Sequence, residues 1–287
     1  MKSSRNKTLT IESLKDKKDE LLSKVLTNEK TLELEKITNK IIKGDTLKLI
    51  KKLPDSFIDL LITDPPYNLT KQYNDKSFNR KNDQEYEAWF ENWVKEIPRI
   101  MKPNGSLYIC GDFKSTPIYY NVLKKYFFIQ NRITWERDKG RGAKKNWKNN
   151  IEDIYFCTMK SDEYVFNLED VKVKKKVIAP YRDENGNAKD WFCENGQKYR
   201  YTCPSNIWTD ITVPYWSMPE NTEHPTQKPE KLIERLITAS SNEGDFVFDL
   251  FLGSGTTAVV AKKMNRKFSG IELDEGYCMI AQERLEK

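Results

Sequence analysis

Two short stretches of this 287-residue sequence carry side chains at a spacing that can do chemistry. The first is Asp64-Pro65-Pro66-Tyr67, which stops the mostly apolar run from Phe57 to Thr63. Pro-Pro cannot continue a central strand, so the tetrapeptide belongs at the C-terminal end of one, the edge at which open α/β sheets bind ligands. An exocyclic amine on a nucleobase is a poor nucleophile because its lone pair is delocalised into the ring. It must be held by acceptors that draw its two N–H bonds out of the plane, and the Asp64 carboxylate and the Pro65 carbonyl are two such acceptors. Pro65 and Pro66 fix φ and keep that carbonyl aimed, while Tyr67 offers a flat face to a base turned out of its helix. Taken alone, the tetrapeptide also reads as a plain strand-ending turn, since Asp and Pro are standard turn formers.

The second stretch runs from Asp249 through Phe251, Gly253, Ser254, Gly255 and Thr256 to Thr257, at a strand-to-helix turn. Glycine there lets a ligand approach the backbone, and the helix start presents free N–H groups. About twenty residues on, at the end of the next strand, Glu272 stands where nucleotide-type sites place a carboxylate for ribose hydroxyls. The duller reading is a tight turn and a surface acid. The turn is not a dinucleotide fingerprint, because the third glycine is replaced by Ala258, and it lacks the Gly-Lys-Ser/Thr of a phosphate loop. A nucleoside ligand without a pyrophosphate fits better, and S-adenosyl-L-methionine is the common one.

The elements that must position these motifs are legible as β-α-β patterning. Strand signals at Ile41 to Asp45 and Phe57 to Thr63 are followed by an amphipathic helix from Asp83 to about Met101 and by the strand Ser106 to Gly111. Regular patterning returns with a helix from Lys228, a strand from Phe246, a helix from Ser254, a strand from Lys267 and a last helix from Asp274. This predicts an α/β fold with a Rossmann-like, mostly parallel twisted sheet built from both ends of the chain. Residues 1–40 read as a helical N-terminal extension and 41–287 as the main domain. In the latter, 41–135 and 223–287 form the sheet, and an inserted recognition region of about 136–222 separates them.

Composition narrows the function classes. Charged residues make up 32% and hydrophobic ones 38%, which suits a packed core, and a net charge of +6 is only a weak hint of an anionic partner. No apolar run reaches membrane-helix length and the start lacks the apolar core of a signal peptide, so a cytoplasmic protein with no membrane contact is expected. Five cysteines without a Cys-x-x-Cys pair, and a single His224, suggest neither disulfides nor a metal site. The same residues exclude C5-cytosine methylation, which needs a nucleophilic cysteine in a Pro-Cys pair, and zinc-dependent base deamination.

Together the two motifs resemble the amino-methyltransferases of DNA, in the permuted β class, where the catalytic motif comes first, target recognition next and the cofactor motif last. His224-Pro225-Thr226-Gln227-Lys228-Pro229, Gly44-Asp45 and Leu53-Pro54-Asp55 resemble further motifs of that family, so the likeness covers residues 40 to 287. It implies S-adenosylmethionine as cofactor, with Asp249, Phe251, Gly253, Ser254, Gly255 and Thr256 on its methionine side. It further implies Glu272 on the ribose, Asp45 on the adenine amine, Lys228 helping to close the site, and Asp64 to Tyr67 on the target base. Adenine-N6 members usually carry Asp at the first catalytic position, which favours adenine here. Asp45 also reads as a helix N-cap, His224 as a loop residue packing its motif, and the Trp and Tyr residues between 191 and 216 as a satellite hydrophobic cluster.

Given a polyanion substrate, Arg137, Lys139, Arg141, Lys144, Lys145 and Lys148, with only Asp138 as counter-charge, are expected on DNA phosphates. The resemblance implies a restriction–modification setting with a cognate endonuclease as functional partner, and it leaves monomer and homodimer open. Cytosine-N4 methylation, RNA adenine methylation and non-catalytic nucleic-acid binding are the competing readings. A protein-amide methyltransferase would have Asn first and the opposite motif order.

Overall fold

The computed structural model describes residues 5–27, 31–74, 76–137, 144–178 and 180–287. Its main sheet consists of β1 (Leu26–Thr27), β2 (Lys40–Lys43), β3 (Ile58–Thr63), β4 (Met101–Gly111), β5 (Phe128–Glu136), β6 (Ile151–Thr158), β7 (Ile207–Trp208), β8 (Phe246–Asp249) and β9 (Lys267–Glu272). The spatial order is β1-β2-β9-β8-β3-β4-β6-β5-β7. All neighbours pair in parallel except β6, which runs against both β4 and β5. A parallel sheet must be covered on both faces, and the alternation along β3 shows how. Ile58 and Leu61 enter a core with α1 (Asp83–Val94) and α2 (Thr116–Leu123), whereas Leu60 and Ile62 enter a second core with α3 (Glu230–Ser240) and α4 (Thr256–Lys263).

From β3 the chain crosses through α1 to β4 on one side, and from β8 it crosses through α4 to β9 on the other. The order therefore reverses between β3 and β8, which opens a crevice beyond their C-terminal ends. The helix α1 forms because Asn82 and Glu85 make a reciprocal capping box, and Tyr86, Trp89, Phe90 and Trp93 repeat at helical spacing along its buried side. It stops at Val94; Ile97–Ile100 is a separate short turn with Pro98 in its first turn.

Two expectations need correction. The strand Ile151–Thr158 is not part of a separate recognition region: it inserts into the main sheet as β6, because Ile154 and Phe156 pack into one core and Tyr155 and Cys157 into the other. Ile207–Trp208 also rejoins the sheet, beside β5. Within residues 136–222, what stands off it among the described residues is the antiparallel sheet Val173–Lys176, Phe192–Glu194 and Gln197–Thr202. The N-terminal extension is not simply helical either. After the short helix Lys18–Ser23 it donates β1 to the sheet edge, while Leu14 and Leu21 pack on Tyr277, Met279 and Ile280 of the last helix, α5 (Glu275–Glu286).

The start of α4 lies close against α5. Gly255 caps α4 at φ +80°, and a Cβ there would stand 2.6 Å from the Cβ of Ala281. Gly255→Ala should therefore cost roughly 2–5 kcal/mol in urea unfolding, combining left-handed backbone strain with overpacking. Adding Ala281→Gly should return only part of that loss.

Candidate active site

Parallel pairing of Val247 with Leu60 and Phe248 with Leu61 brings the ends of β3 and β8 side by side, so Asp64 and Asp249 face one crevice. Its cavity of about 260 Å³ is lined by Asp64 to Tyr67, by Asp45, Asp249, Phe251, Gly253, Ser254, Thr256 and Glu272, and by His224 and Lys228. Helix α1 braces both turns. The Tyr86 hydroxyl donates to the Pro66 carbonyl at 2.8 Å and contacts the Tyr119 hydroxyl at 2.9 Å, while the Trp93 ring meets Phe251 edge-on at 5.2 Å.

On the glycine side, Gly253 has φ +55°, and a Cβ there would come within 3.0 Å of His224 Nε2. Burial pushes the His224 imidazole down to about 3, so it is neutral near neutral pH and packs against Tyr277, ring centroids 4.4 Å apart. That is packing, not proton transfer. Asp249 accepts from the Phe251 N–H at 3.0 Å and the Thr257 hydroxyl at 2.7 Å, and burial pushes its carboxyl up to about 6. Glu272 accepts from the N–H groups of Gly253 at 2.8 Å and Asp274 at 2.7 Å; burial raises it to about 7 against the pull of those bonds. Each of its oxygens keeps a lone pair for a ligand hydroxyl. Asp45 caps Thr46–Leu49 through the Leu47 N–H at 3.0 Å, and it also lines the cavity. The carboxylates, the open glycine backbone and the apolar walls Phe78, Trp89 and Leu252 suit a sulfonium nucleoside.

On the catalytic side, Asp64 is already engaged. Its Oδ1 accepts from the Tyr67 hydroxyl at 2.7 Å and its Oδ2 from the Lys228 ammonium at 2.5 Å. Lys228 Nζ also stands 3.2 Å from Glu152 Oε2, and Glu152 Oε1 accepts from Arg137 at 2.6 Å. Burial raises the Asp64 carboxyl above the usual range, opposed by Lys228. Burial works against the Lys228 charge, yet Asp64 and Glu152 together outweigh it and hold the ammonium above its ordinary value. No hydrogen bond reaches the Pro65 carbonyl among the described residues.

Most residues singled out in the sequence thus meet in one cavity, and Lys228, expected to help close the site, lines it and bonds the Asp64 carboxylate. There are two departures. Gly255 is not among the lining residues and serves the contact between α4 and α5. Arg137 turns inward to Glu152 instead of lying free for phosphate. Lys144, Lys145 and Lys148 are exposed, whereas Lys139 and Arg141 lie outside the described residues.

Residues missed in the sequence are Glu152, Tyr86 and Arg284. The last, buried near the end of α5, donates to the Ser254 carbonyl at 2.8 Å, to Thr256 Oγ1 at 3.0 Å and to Glu230 at 2.9 Å. Only a lone arginine on the apolar side of the last helical pattern could have signalled it. Among the described residues no helix is long and apolar enough to cross a membrane.

Residues 58–283 match the N6/N4 family model described as DNA methylase. The chain is 36% identical over 249 residues to the type II methyltransferase M.HpaI of Haemophilus parainfluenzae, covering 86% of this chain and 74% of that protein. It is also 36% identical over 249 residues to the DNA adenine methyltransferase YhdJ of Escherichia coli (strain K12), covering 86% and 82%. Among solved structures, the fold is similar to the M1.HpyAVI-SAM complex (TM-score 0.57, 23% identity, 86% of this chain and 98% of that one). It is likewise similar to the cytosine-N4-specific PvuII DNA methyltransferase (TM-score 0.62, 20% identity, 86% and 89%).

With Glu272 as the expected ribose acceptor, its environment should give S-adenosylmethionine binding a pH dependence. The ionised carboxylate is the form that accepts ribose hydroxyls, so below its raised value of about 7 binding must expel a proton. Affinity should rise with pH by up to about tenfold per unit and level off above it. Glu272→Gln should bind roughly 1.5–3 kcal/mol more weakly and lose the dependence above about pH 6.5. Calorimetry across this range checks both, and a flat wild-type profile would place the ribose acid elsewhere.

Proposed function

The chain belongs to the DNA methylase family described by the model it matches, and on that premise we propose that it methylates the N6 amine of adenine in DNA. S-adenosyl-L-methionine is the methyl donor, and when bound it supplies an electrophilic methyl group. The observation that carries the adenine reading is Asp64, an aspartate heading Asp-Pro-Pro-Tyr at the rim of the cavity that holds the glycine turn. The target base turns out of the duplex and its amine donates to Asp64 and to the Pro65 carbonyl, which draws the nitrogen toward a tetrahedral geometry. The proton displaced from the nitrogen passes to Asp64 or water. YhdJ, named as an adenine methyltransferase, supports the same choice. Relatives named type II methyltransferases support a setting in which the modification protects host DNA from a cognate endonuclease.

Two outcomes test this reading. Digested DNA from cells expressing the chain should contain N6-methyladenine; N4-methylcytosine, or label entering RNA alone, would overturn it. Asp64→Ala should lower turnover by at least about a hundredfold while leaving cofactor affinity within about tenfold, since the lost acceptor acts on the amine in the transition state.

The exposed Lys144, Lys145 and Lys148 carry the proposed phosphate contacts. Replacing all three by Ala should weaken binding to every DNA sequence and flatten the slope of log affinity against log salt by up to about 0.9 per contact. Titrations at three salt concentrations on two sequences separate this from base reading, which would cost discrimination and leave the slope intact.

A further inference from the structure

Lys228 stands on the atom that the target amine must reach. Its ammonium is bonded to Asp64 Oδ2 at 2.5 Å, and the hydroxyl of Tyr67 takes Oδ1 at 2.7 Å, so both oxygens of the carboxylate have donors before any base arrives. Close by is an acceptor with none. Glu152 is 3% exposed, and its Oε2 accepts no hydrogen bond among the described residues, although Lys228 Nζ stands 3.2 Å away as an ion pair. An unsatisfied buried carboxylate oxygen is costly and calls for a reason.

We propose that Lys228 is a positioning residue with two stations. Its ammonium rests on Asp64 in the base-free enzyme, in the place of the target amine, and moves onto Glu152 Oε2 when the amine takes Asp64. This rests on the reading of Asp64 as amine acceptor. The move needs little travel, because Lys228 already touches both carboxylates. It also leaves the buried charge unchanged, with Lys228 and Arg137 balancing Asp64 and Glu152 throughout. While on Asp64 the ammonium favours the ionised form of that carboxylate, opposing the upward push of burial. Once on Glu152 it fills the open acceptor at the moment the substrate displaces it. Arg137 holds Glu152 through its other oxygen and so fixes the second station.

The groups facing Asp64 define what a pH experiment reads: Lys228, Tyr67 and Glu152 nearest, with Lys71 and Asp249 as further charges coupled to it and Cys110 a neutral thiol. Single-turnover methyl transfer to unmethylated genomic DNA is measured at saturating S-adenosylmethionine from about pH 6 to 9. Glu152→Gln, which keeps the shape but removes the station's charge, should slow the wild-type rate by about ten- to a hundredfold. Its cofactor affinity should stay within about threefold. Lys228→Met lets burial protonate Asp64, so its rate should be low at the acid end and climb with pH where the wild type is level. The double variant E152Q/K228M keeps the buried charge balanced and carries the same climb, which preserves the test should a single variant be unstable. An unchanged rate in Glu152→Gln, or a pH-independent loss in both Lys228 variants, overturns the two-station role. Wild-type protein that labels no DNA overturns instead the underlying assignment of Asp64.

Discussion

The site depends first on a parallel strand pairing between segments far apart in the chain. Val247 against Leu60 and Phe248 against Leu61 set the register in which β3 and β8 end, and hence where their two loops open. A shift by one residue would exchange the inward faces of β3, sending Leu60 and Ile62 toward α1 and Leu61 toward α3. The apolar content of both strands makes such a slip costly, because each face is packed by a different pair of helices. The aromatic side of α1 completes the arrangement, touching the Pro66 carbonyl through Tyr86 and Phe251 through Trp93. One helix thus fixes the distance between the turn after β3 and the glycine turn after β8.

The parts of this design that are local in sequence were readable there. Asp64-Pro65-Pro66-Tyr67 could be placed at a strand end because Pro-Pro stops a strand, and the Gly253 turn because glycines interrupt a strand-to-helix pattern. Glu272 followed from the next strand end. The Glu152 partner of Lys228 was not readable, since its strand ends a stretch where loops and charges hide the sheet pattern, and Ile151–Thr158 looks the same whether it joins the main sheet or a small separate one. Arg137 misled for a related reason: within a run of cations it resembles a solvated side chain, and only the position of β6 gives it a buried carboxylate. Helix signals placed residues 1–40 outside the sheet, because a two-residue edge strand such as Leu26–Thr27 leaves no periodicity to detect.

The catalytic side illustrates how buried charge is tolerated. Two carboxylates and two cations share a small volume between β3, β5, β6 and the loop before α3, and removing any one would leave a partner uncompensated at a cost of about 3–5 kcal/mol. Such a set adds little net stability by itself. Its effect is on protonation state: the Lys228 ammonium opposes the upward push of burial on the Asp64 carboxyl. The glycine side works differently: among the described residues Asp249 and Glu272 are met by N–H and hydroxyl donors without a cation, and burial raises them to about 6 and about 7.

The reach of Arg284 ties the end of α5 to the glycine loop. Helix ends ordinarily fray at little free-energy cost, independently of the rest of a domain. Here, unwinding the final turn would withdraw the guanidinium from the Ser254 carbonyl and Thr256, so fraying of the helix end and loosening of the loop become one event. A ligand that needs the loop ordered would then draw its affinity partly from a helix end it never touches, and solvent exchange of amide protons in that last turn should slow when the cavity is filled.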